Sequence, residues 1–304
     1  MSQRILHPAV PPLTITALAW GFNFVAVKWA YIQVLPAAVG LARLFPTWVV
    51  MIILTRLFGE KLTYPKPDAF RILFTGFLAM GVYMVAFLEG IERTSTADAA
   101  IILASSPIIT YAIAIIVRQE RFRVGALFGA LVAFSGVVLV MSKVMGVGGG
   151  KLEGNLLILL SAILWGISVV YSKPLMEKYS PIRVFTLSLP GALPVLIPYG
   201  LAAVATTDWM NLEPRTWLSL AHISILAGAL GFAGFYVGVK HAGASGAMLA
   251  QFCVPPLATI CAWKFLNEPI AREHYIGLVI VLIGVWTSAH FRRKRSPTIA
   301  VSGT

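Results

Sequence analysis

Apolar residues fill this chain in ten long runs that short polar segments separate. Each run approaches the roughly 20 residues that a helix needs to cross the hydrocarbon core of a bilayer. The predicted spans, numbered 1 to 10 in chain order, cover residues 13–33, 38–58, 69–90, 97–117, 124–143, 155–173, 182–205, 215–239, 244–265 and 273–291. The segments between the spans are too short to hold a domain outside the membrane. The pattern therefore predicts an all-α integral membrane protein with ten transmembrane helices.

The second half of the chain repeats residues of the first half in the same order. Trp20, Lys28 and Pro36 return 145 positions later as Trp165, Lys173 and Pro181, and Pro107, Glu120 and Gly129 return 148 positions later as Pro255, Glu268 and Gly277. A unit with an odd number of spans must lie in the opposite orientation the second time, and inverted repeats are a common construction of secondary transporters. We predict one repeat at 13–143, a second at 155–291, and a disordered basic cytoplasmic tail at 292–304.

Composition and charge support a membrane protein. The chain is 58% hydrophobic and only 12% charged, about half the charged fraction of a soluble protein. Its net charge of +12 would raise nucleic-acid binding in a soluble chain, but here the basic residues gather in alternate loops. With the N-terminus inside, sixteen Lys and Arg residues fall on the inner side and six on the outer side. The count predicts that both termini are cytoplasmic, and the placement of the basic residues in loops argues against a nucleic-acid partner.

Two matched prolines lie near the middle of equivalent spans. Pro107 follows Ser106 in span 4, and Pro255 follows Val254 in span 9. A proline inside a helix removes a hydrogen bond and frees backbone groups. Paired interruptions of this kind point to a substrate site at mid-depth. A packing kink without a ligand is the alternative.

Polar and aromatic residues at similar depth complete the predicted substrate cavity. Polar groups inside a membrane usually face the bundle interior, although bonds between helices and core packing explain the same residue types. The candidate cavity residues are Trp20, Asn23, Tyr83, Ser105, Ser106, Pro107, Trp165, Ser168, Tyr236, Gln251 and Pro255. Because no charged residue is placed at this depth, we expect recognition by hydrogen bonds and backbone dipoles.

One arginine is predicted to lie inside the membrane. Arg43 is about five residues into span 2, and Glu89 lies near the same end of span 3, followed by Glu92. An unpaired guanidinium is costly at such a depth. We therefore expect Arg43 to pair with Glu89, or else with Glu92, either as a structural ion pair or as a moving gate.

The repeated motifs permit a family comparison. The string Trp20-Gly21-Phe22-Asn23-Phe24-Val25 with Lys28, and the two Pro…Glu…Gly…Gly strings, resemble the EamA-type repeats of the drug/metabolite transporter superfamily. The resemblance implies a ten-helix inner-membrane permease, acting as a monomer or homodimer, that exports amino acids or related metabolites. It also implies a central cavity lined by spans 1, 3, 4, 6, 8 and 9, with spans 5 and 10 outside the pathway. Gln119-Glu120 and Asn267-Glu268 replace the more usual Gly-Glu, and we expect these glutamates to anchor loops at helix ends.

The sequence indicates a secondary-active permease for a small molecule, working by alternating access. It contains no Walker-type nucleotide loop, so direct ATP drive within this chain is excluded. A lipid scramblase or flippase on the same fold is an alternative, and so is an intramembrane enzyme acting on lipid-linked substrates. The second alternative needs clustered acids or histidines, whereas the chain has 12 acids and 5 histidines without a His-Glu-x-x-His motif. No catalytic residue, metal or cofactor is predicted.

Overall fold

A computed structural model describes residues 10–120, 122–142, 149–251, 253–270 and 272–293, and the regular structure of these residues is helical throughout. The α-helices are α1 (Val10–Ala30), α2 (Pro36–Leu57), α3 (Ala69–Gly76), α4 (Tyr83–Arg93), α5 (Thr96–Leu103), α6 (Ser106–Ile116), α7 (Val124–Ser142), α8 (Gly149–Lys178), α9 (Pro181–Ser188), α10 (Leu193–Thr206), α11 (Pro214–Ala221), α12 (Phe232–Gln251), α13 (Val254–Leu266) and α14 (Arg272–Arg293). The segments Phe77–Val82 and His222–Gly231 are π-helical and join α3 to α4 and α11 to α12.

Among the described residues, seven helical segments are long and apolar enough to cross a membrane. They are Val10–Ala30, Pro36–Leu57, Lys66–Arg93, Thr96–Ile116, Leu152–Lys178, Pro181–Thr206 and Pro214–Gly238. These segments correspond to predicted spans 1 to 4 and 6 to 8, and they make the chain a multi-pass membrane protein. The apolar helices Val124–Gly136 and Val254–Leu266 are shorter. They fall in spans 5 and 9, so the total of ten stays a prediction.

Two boundaries differ from those that the sequence predicts. The helix α8 begins at Gly149, six residues before the predicted start of span 6 at 155. The helix α12 runs from span 8 to Gln251 in span 9, and no break separates the two predicted spans. The predicted disordered tail from 294 onward lies outside the described residues.

Each main contact between a span of the first half and a span of the second half has a counterpart, in which the equivalent spans of the opposite halves pack on each other. In the first pair, α4 of span 3 packs on α8 of span 6, and the π-helical segment of span 8 packs on α1 of span 1. In the second pair, α6 of span 4 packs on α8, and α13 of span 9 packs on α1. Spans 2 and 7 pack on each other through α2 and α10. Two equivalent halves would produce this pattern.

The helices α7 and α14 form a separate pair at the side of the bundle. They pack on each other closely, and their main contacts with the remainder are with α5 and α6. A Cβ atom added to Gly129 would lie 2.6 Å from the carbonyl oxygen of Gly284, and one added to Gly284 would lie 2.6 Å from that of Gly129. Small residues thus let the two backbones approach, as in other membrane helix pairs.

Candidate functional site

A central cavity lies in the bundle among spans 1, 2, 3, 4, 6, 8 and 9. The space open to the centre of a water molecule is about 80 Å³. The walls are mostly apolar and aromatic, with a few polar groups between them. Seven of the eleven predicted cavity residues line it, namely Trp20, Asn23, Tyr83, Ser106, Trp165, Gln251 and Pro255.

The two matched prolines mark real interruptions, as predicted. Span 4 consists of α5 and α6 with a turn at Ala104 and Ser105 between them. Span 9 is interrupted after Gln251, and α13 begins at Val254. Pro107 and Pro255 are each the second residue of the new helix, where the missing N–H costs no intrahelical bond. Both breaks reach the central cavity, which Ala104 and Pro255 line.

Three of the other predicted cavity residues lie away from this cavity. Ser105 donates to the carbonyl of Ile102 at 2.7 Å, and Ser168 donates to the carbonyl of Trp165 at 2.8 Å. Pro107 is buried in α6. Each hydroxyl is satisfied by its own helix, so neither serine needs a partner in the cavity.

An aromatic cluster surrounds Trp165, which is 4% exposed. Its ring centroid lies 6.2 Å from that of Trp20, 5.6 Å from those of Tyr83 and Phe232, and 5.7 Å from that of Phe235. Trp20, Tyr83, Trp165 and Phe232 line the central cavity, whereas Phe235 lines a second cavity. The aromatic cluster therefore lies between the two spaces.

The second cavity is larger and more polar, and we call it the polar cavity. The space that it leaves for the centre of a water molecule is about 300 Å³. Tyr236, the remaining predicted residue, lines this cavity rather than the central one, together with Glu120, Lys173, Glu177 and Lys240. The excess of Lys and Arg in alternate loops predicts that this end of spans 4, 6 and 8 is cytoplasmic. None of these four charged residues was predicted to line a cavity, because the polar and broken positions in the sequence pointed to the middle of the spans and Glu120 was expected to anchor a helix end.

The predicted ion pair between Arg43 and Glu89 is wrong. Glu89 pairs with Arg93, one turn further along α4, and also accepts a hydrogen bond from the hydroxyl of Tyr199. No acid among the described residues lies within ion-pair distance of Arg43. The carboxylate of Glu89 is bound by Arg93, which lies nearer on the same helix, and by Tyr199 of span 7.

Arg43 instead enters the central cavity. It donates from Nη2 to the carbonyl of Ile223 at 3.1 Å and from Nη1 to the sulfur of Met84 at 3.2 Å. The side chain is buried, and its Nε has no partner among the described residues. A charged group thus lines the cavity, where the sequence predicted none.

The π-helical segment of span 8 organises this side of the site. Its carbonyl oxygens accept four side-chain hydrogen bonds from spans 1 and 2: Ile223 from Arg43, Ser224 from Thr47, Ala227 from Trp20 and Gly231 from Thr16. The π-helical segment of span 3 begins 145 positions earlier, at Phe77. π-Helical segments are rare in proteins, and those that occur are often found at functional sites. In the sequence, this part of the chain is marked by closely spaced glycines, Gly231, Gly234 and Gly238.

The end of the bundle away from the polar cavity is held by hydrogen bonds. Both carboxylate oxygens of Glu268 accept the backbone N–H of Thr96, and the ammonium of Lys28 donates to the carbonyl of Thr94 at 2.8 Å. The prediction that Glu268 anchors a helix end is confirmed. Its repeat equivalent Glu120 lines the polar cavity.

A multi-pass helical bundle with matched helix interruptions around a buried cavity is the architecture of a membrane transporter. The sequence matches the EamA-like transporter family over residues 10–142 and 152–289, and the chain belongs to this family.

Similar proteins agree with this class. The chain is 24% identical to the uncharacterized transporter YyaM of Bacillus subtilis over 79% of this chain and 80% of that protein. It is 23% identical to a probable terminal-alkyne amino-acid exporter of Streptantibioticus cattleyicolor over 92% of this chain and 93% of that protein. A crystal structure with 17% identity shares the fold, with a TM-score of 0.67 over 94% of this chain and 97% of that one.

Proposed function

We propose that this transporter is a secondary-active permease of the bacterial inner membrane that exports amino acids or related small metabolites. In this proposal, residues 13–143 and 155–291 are inverted repeats of five spans each, and both termini are cytoplasmic. The observation that carries the proposal is the buried central cavity between the matched interruptions at Pro107 and Pro255.

Alternating access is supported by the difference between the two ends of the bundle. Glu268 and Lys28 hold one end together through backbone groups, while the polar cavity enters the other end. The side chain of Glu120 accepts no hydrogen bond from the described residues, whereas both carboxylate oxygens of its repeat equivalent Glu268 accept the N–H of Thr96. Two equivalent halves in different local states are what a rocking mechanism requires. The aromatic cluster around Trp165 then closes the path between the cavities.

The substrate class follows from the lining of the cavity and from its size. Asn23 and Gln251 offer polar groups, and the aromatic rings offer apolar surface. One water needs roughly 10–15 Å³ of the space measured here, so the available 80 Å³ accommodates a solute of about five to eight non-hydrogen atoms. A small amphipathic amino acid fits this size, and a related protein is named as an amino-acid exporter.

The test uses Asn23→Ala and Gln251→Ala, with Ser105→Ala as the matched control. Ser105 is satisfied within its own helix and lies away from the cavity, so its loss should leave export unchanged. Each variant is reconstituted into proteoliposomes, and efflux of a panel of small neutral amino acids is measured beside the amount of inserted protein. We expect both cavity variants to lower efflux at normal protein amounts. Unchanged efflux of every transported compound in both variants would place the site elsewhere.

A further inference from the structure

We infer that Arg43 is an anion-binding group in the central cavity and that it binds the carboxylate of the transported solute. The inference rests on the proposed function in one respect, since it takes the central cavity as the solute site. It replaces the expectation that recognition uses only hydrogen bonds and backbone dipoles.

The guanidinium of Arg43 is buried without a compensating charge. Arg43 is only 2% exposed. An arginine side chain stays protonated and carries five N–H donors. One of its two partners is the neutral carbonyl of Ile223, and the other is the sulfur of Met84, which is a weak acceptor. The Nε group has no partner among the described residues. The site therefore has unused donors beside the cavity.

The protein does not supply the missing anion from the neighbouring acids. Glu89 is paired with Arg93 and Tyr199, and Glu92 lies 3.6 Å from Arg93. A buried charge without a partner is strongly unfavourable, and a carboxylate that reaches it gains both charge neutralisation and directed hydrogen bonds. A solute carboxylate in the central cavity is thus the partner that the geometry calls for.

Asn23, which also lines the central cavity, carries a second unsatisfied polar group. The side-chain oxygen Oδ1 of Asn23 is buried and has no hydrogen-bond partner among the described residues. It can accept a hydrogen bond from an ammonium or hydroxyl group. Trp20, Phe24 and Phe87 line the same cavity and offer apolar contact. The class of ligand is a short carboxylate with one donor group and a small apolar body.

Binding is measured by thermal stabilisation of the purified full-length protein with three matched probes. L-Valine carries both charged groups, L-valinamide replaces the carboxylate by an amide, and 3-methylbutyrate lacks the ammonium. We expect L-valine and 3-methylbutyrate to stabilise the wild type and L-valinamide to bind about tenfold to a hundredfold more weakly, as hydrogen bonds to charged groups imply. Equal binding of L-valine and L-valinamide, or no binding of either carboxylate, would overturn the inference.

Two variants test the residue itself. Arg43→Gln should abolish the preference for L-valine over L-valinamide, and Arg43→Lys should keep part of it because the positive charge remains. Arg71→Gln is the control, because Arg71 contacts the ring and carbonyl of Tyr171 outside the central cavity. If Arg43→Gln does not fold, the comparison of probes on the wild type and on Arg43→Lys still decides. A wild-type preference that survives in Arg43→Gln would overturn the assignment.

Counterflow of the same compounds across proteoliposomes separates the two proposals. Binding that depends on Arg43, without exchange of any carboxylate, would leave the anion site standing and contradict the permease. Exchange of L-valine and L-valinamide at equal rates in both wild type and Arg43→Gln would support the permease and overturn the anion site. We expect exchange of L-valine in the wild type and its loss in Arg43→Gln.

Discussion

The carboxylate of Glu268 accepts the backbone N–H of Thr96 at both of its oxygens, with N···O distances of 3.0 and 3.2 Å. Thr96 is the first residue of α5, the first half of the interrupted span 4, and Glu268 lies between spans 9 and 10. A negative charge is stabilising at a helix N-terminus. The second half of the chain thus holds the end of an interrupted helix that belongs to the first half.

Replacing Glu268 should weaken the end of the bundle away from the polar cavity. Glu268→Ala leaves the N–H of Thr96 without its acceptor, and we expect a loss of about 1 to 2 kcal/mol in the free energy of unfolding. Glu268→Gln keeps a neutral acceptor and should lose less. The midpoint of unfolding of the detergent-purified protein measures both effects.

Glu120 provides the matched control for that measurement. It is the repeat equivalent of Glu268 and accepts no hydrogen bond from the described residues, so Glu120→Ala should change the midpoint little. Equal destabilisation by the two alanine variants would contradict the role given to the Glu268–Thr96 contact.

Trp165 should matter more for stability and transport than any lipid-facing tryptophan. It is 4% exposed and contacts four other aromatic rings between the two cavities. Trp165→Ala should cost about 3 to 5 kcal/mol and should join the central cavity to the polar cavity, which would lower coupled efflux. Trp286→Ala is the control, because Trp286 is 64% exposed on α14. If Trp165→Ala and Trp286→Ala change the unfolding midpoint and the efflux equally, Trp165 does not separate the two cavities.

The contact between Gly129 and Gly284 should be intolerant of larger side chains. Gly129→Val places its Cβ against the carbonyl of Gly284 and the backbone of Ser288, and overpacking of this kind costs about 1 to 3 kcal/mol. We expect a lower yield of folded protein, with unchanged transport per folded molecule, because neither glycine lines the central cavity or the polar cavity. Leu131→Val on the exposed face of α7 should leave the yield unchanged. Selective loss of transport at normal yield would instead place this pair in the pathway.

The sequence predicted those features that a short segment determines by itself. The apolar runs indicated membrane-spanning helices, and Pro107 and Pro255, at equivalent places in two spans, indicated interruptions because a proline removes a backbone donor. The residues Trp20 and Asn23 were found because bulky or polar groups at depth in a repeated span turn toward the bundle interior.

The remaining features depend on neighbours that a sequence does not display. The π-helical segment at His222 exists together with the side chains of spans 1 and 2 that bond its carbonyls. Arg43 was expected to find Glu89, but Arg93 lies one turn from that acid and engages it. The hydroxyl of Ser168 bonds to its own helix, an outcome that competes evenly with facing a cavity.

The orientation of the chain decides which side of the membrane the polar cavity faces. The excess of Lys and Arg in alternate loops predicts that both termini are cytoplasmic, which would place Lys173 and Lys240 of the polar cavity at the inner side. A reporter fused after Gly149 should then report the periplasm, and one fused after Thr304 should report the cytoplasm. Both reporters on one side would contradict five spans per repeat and with them the inverted arrangement. Reversed sides would keep the repeat but assign the Glu268–Thr96 contact to the cytoplasmic end, so that the polar cavity would open outward.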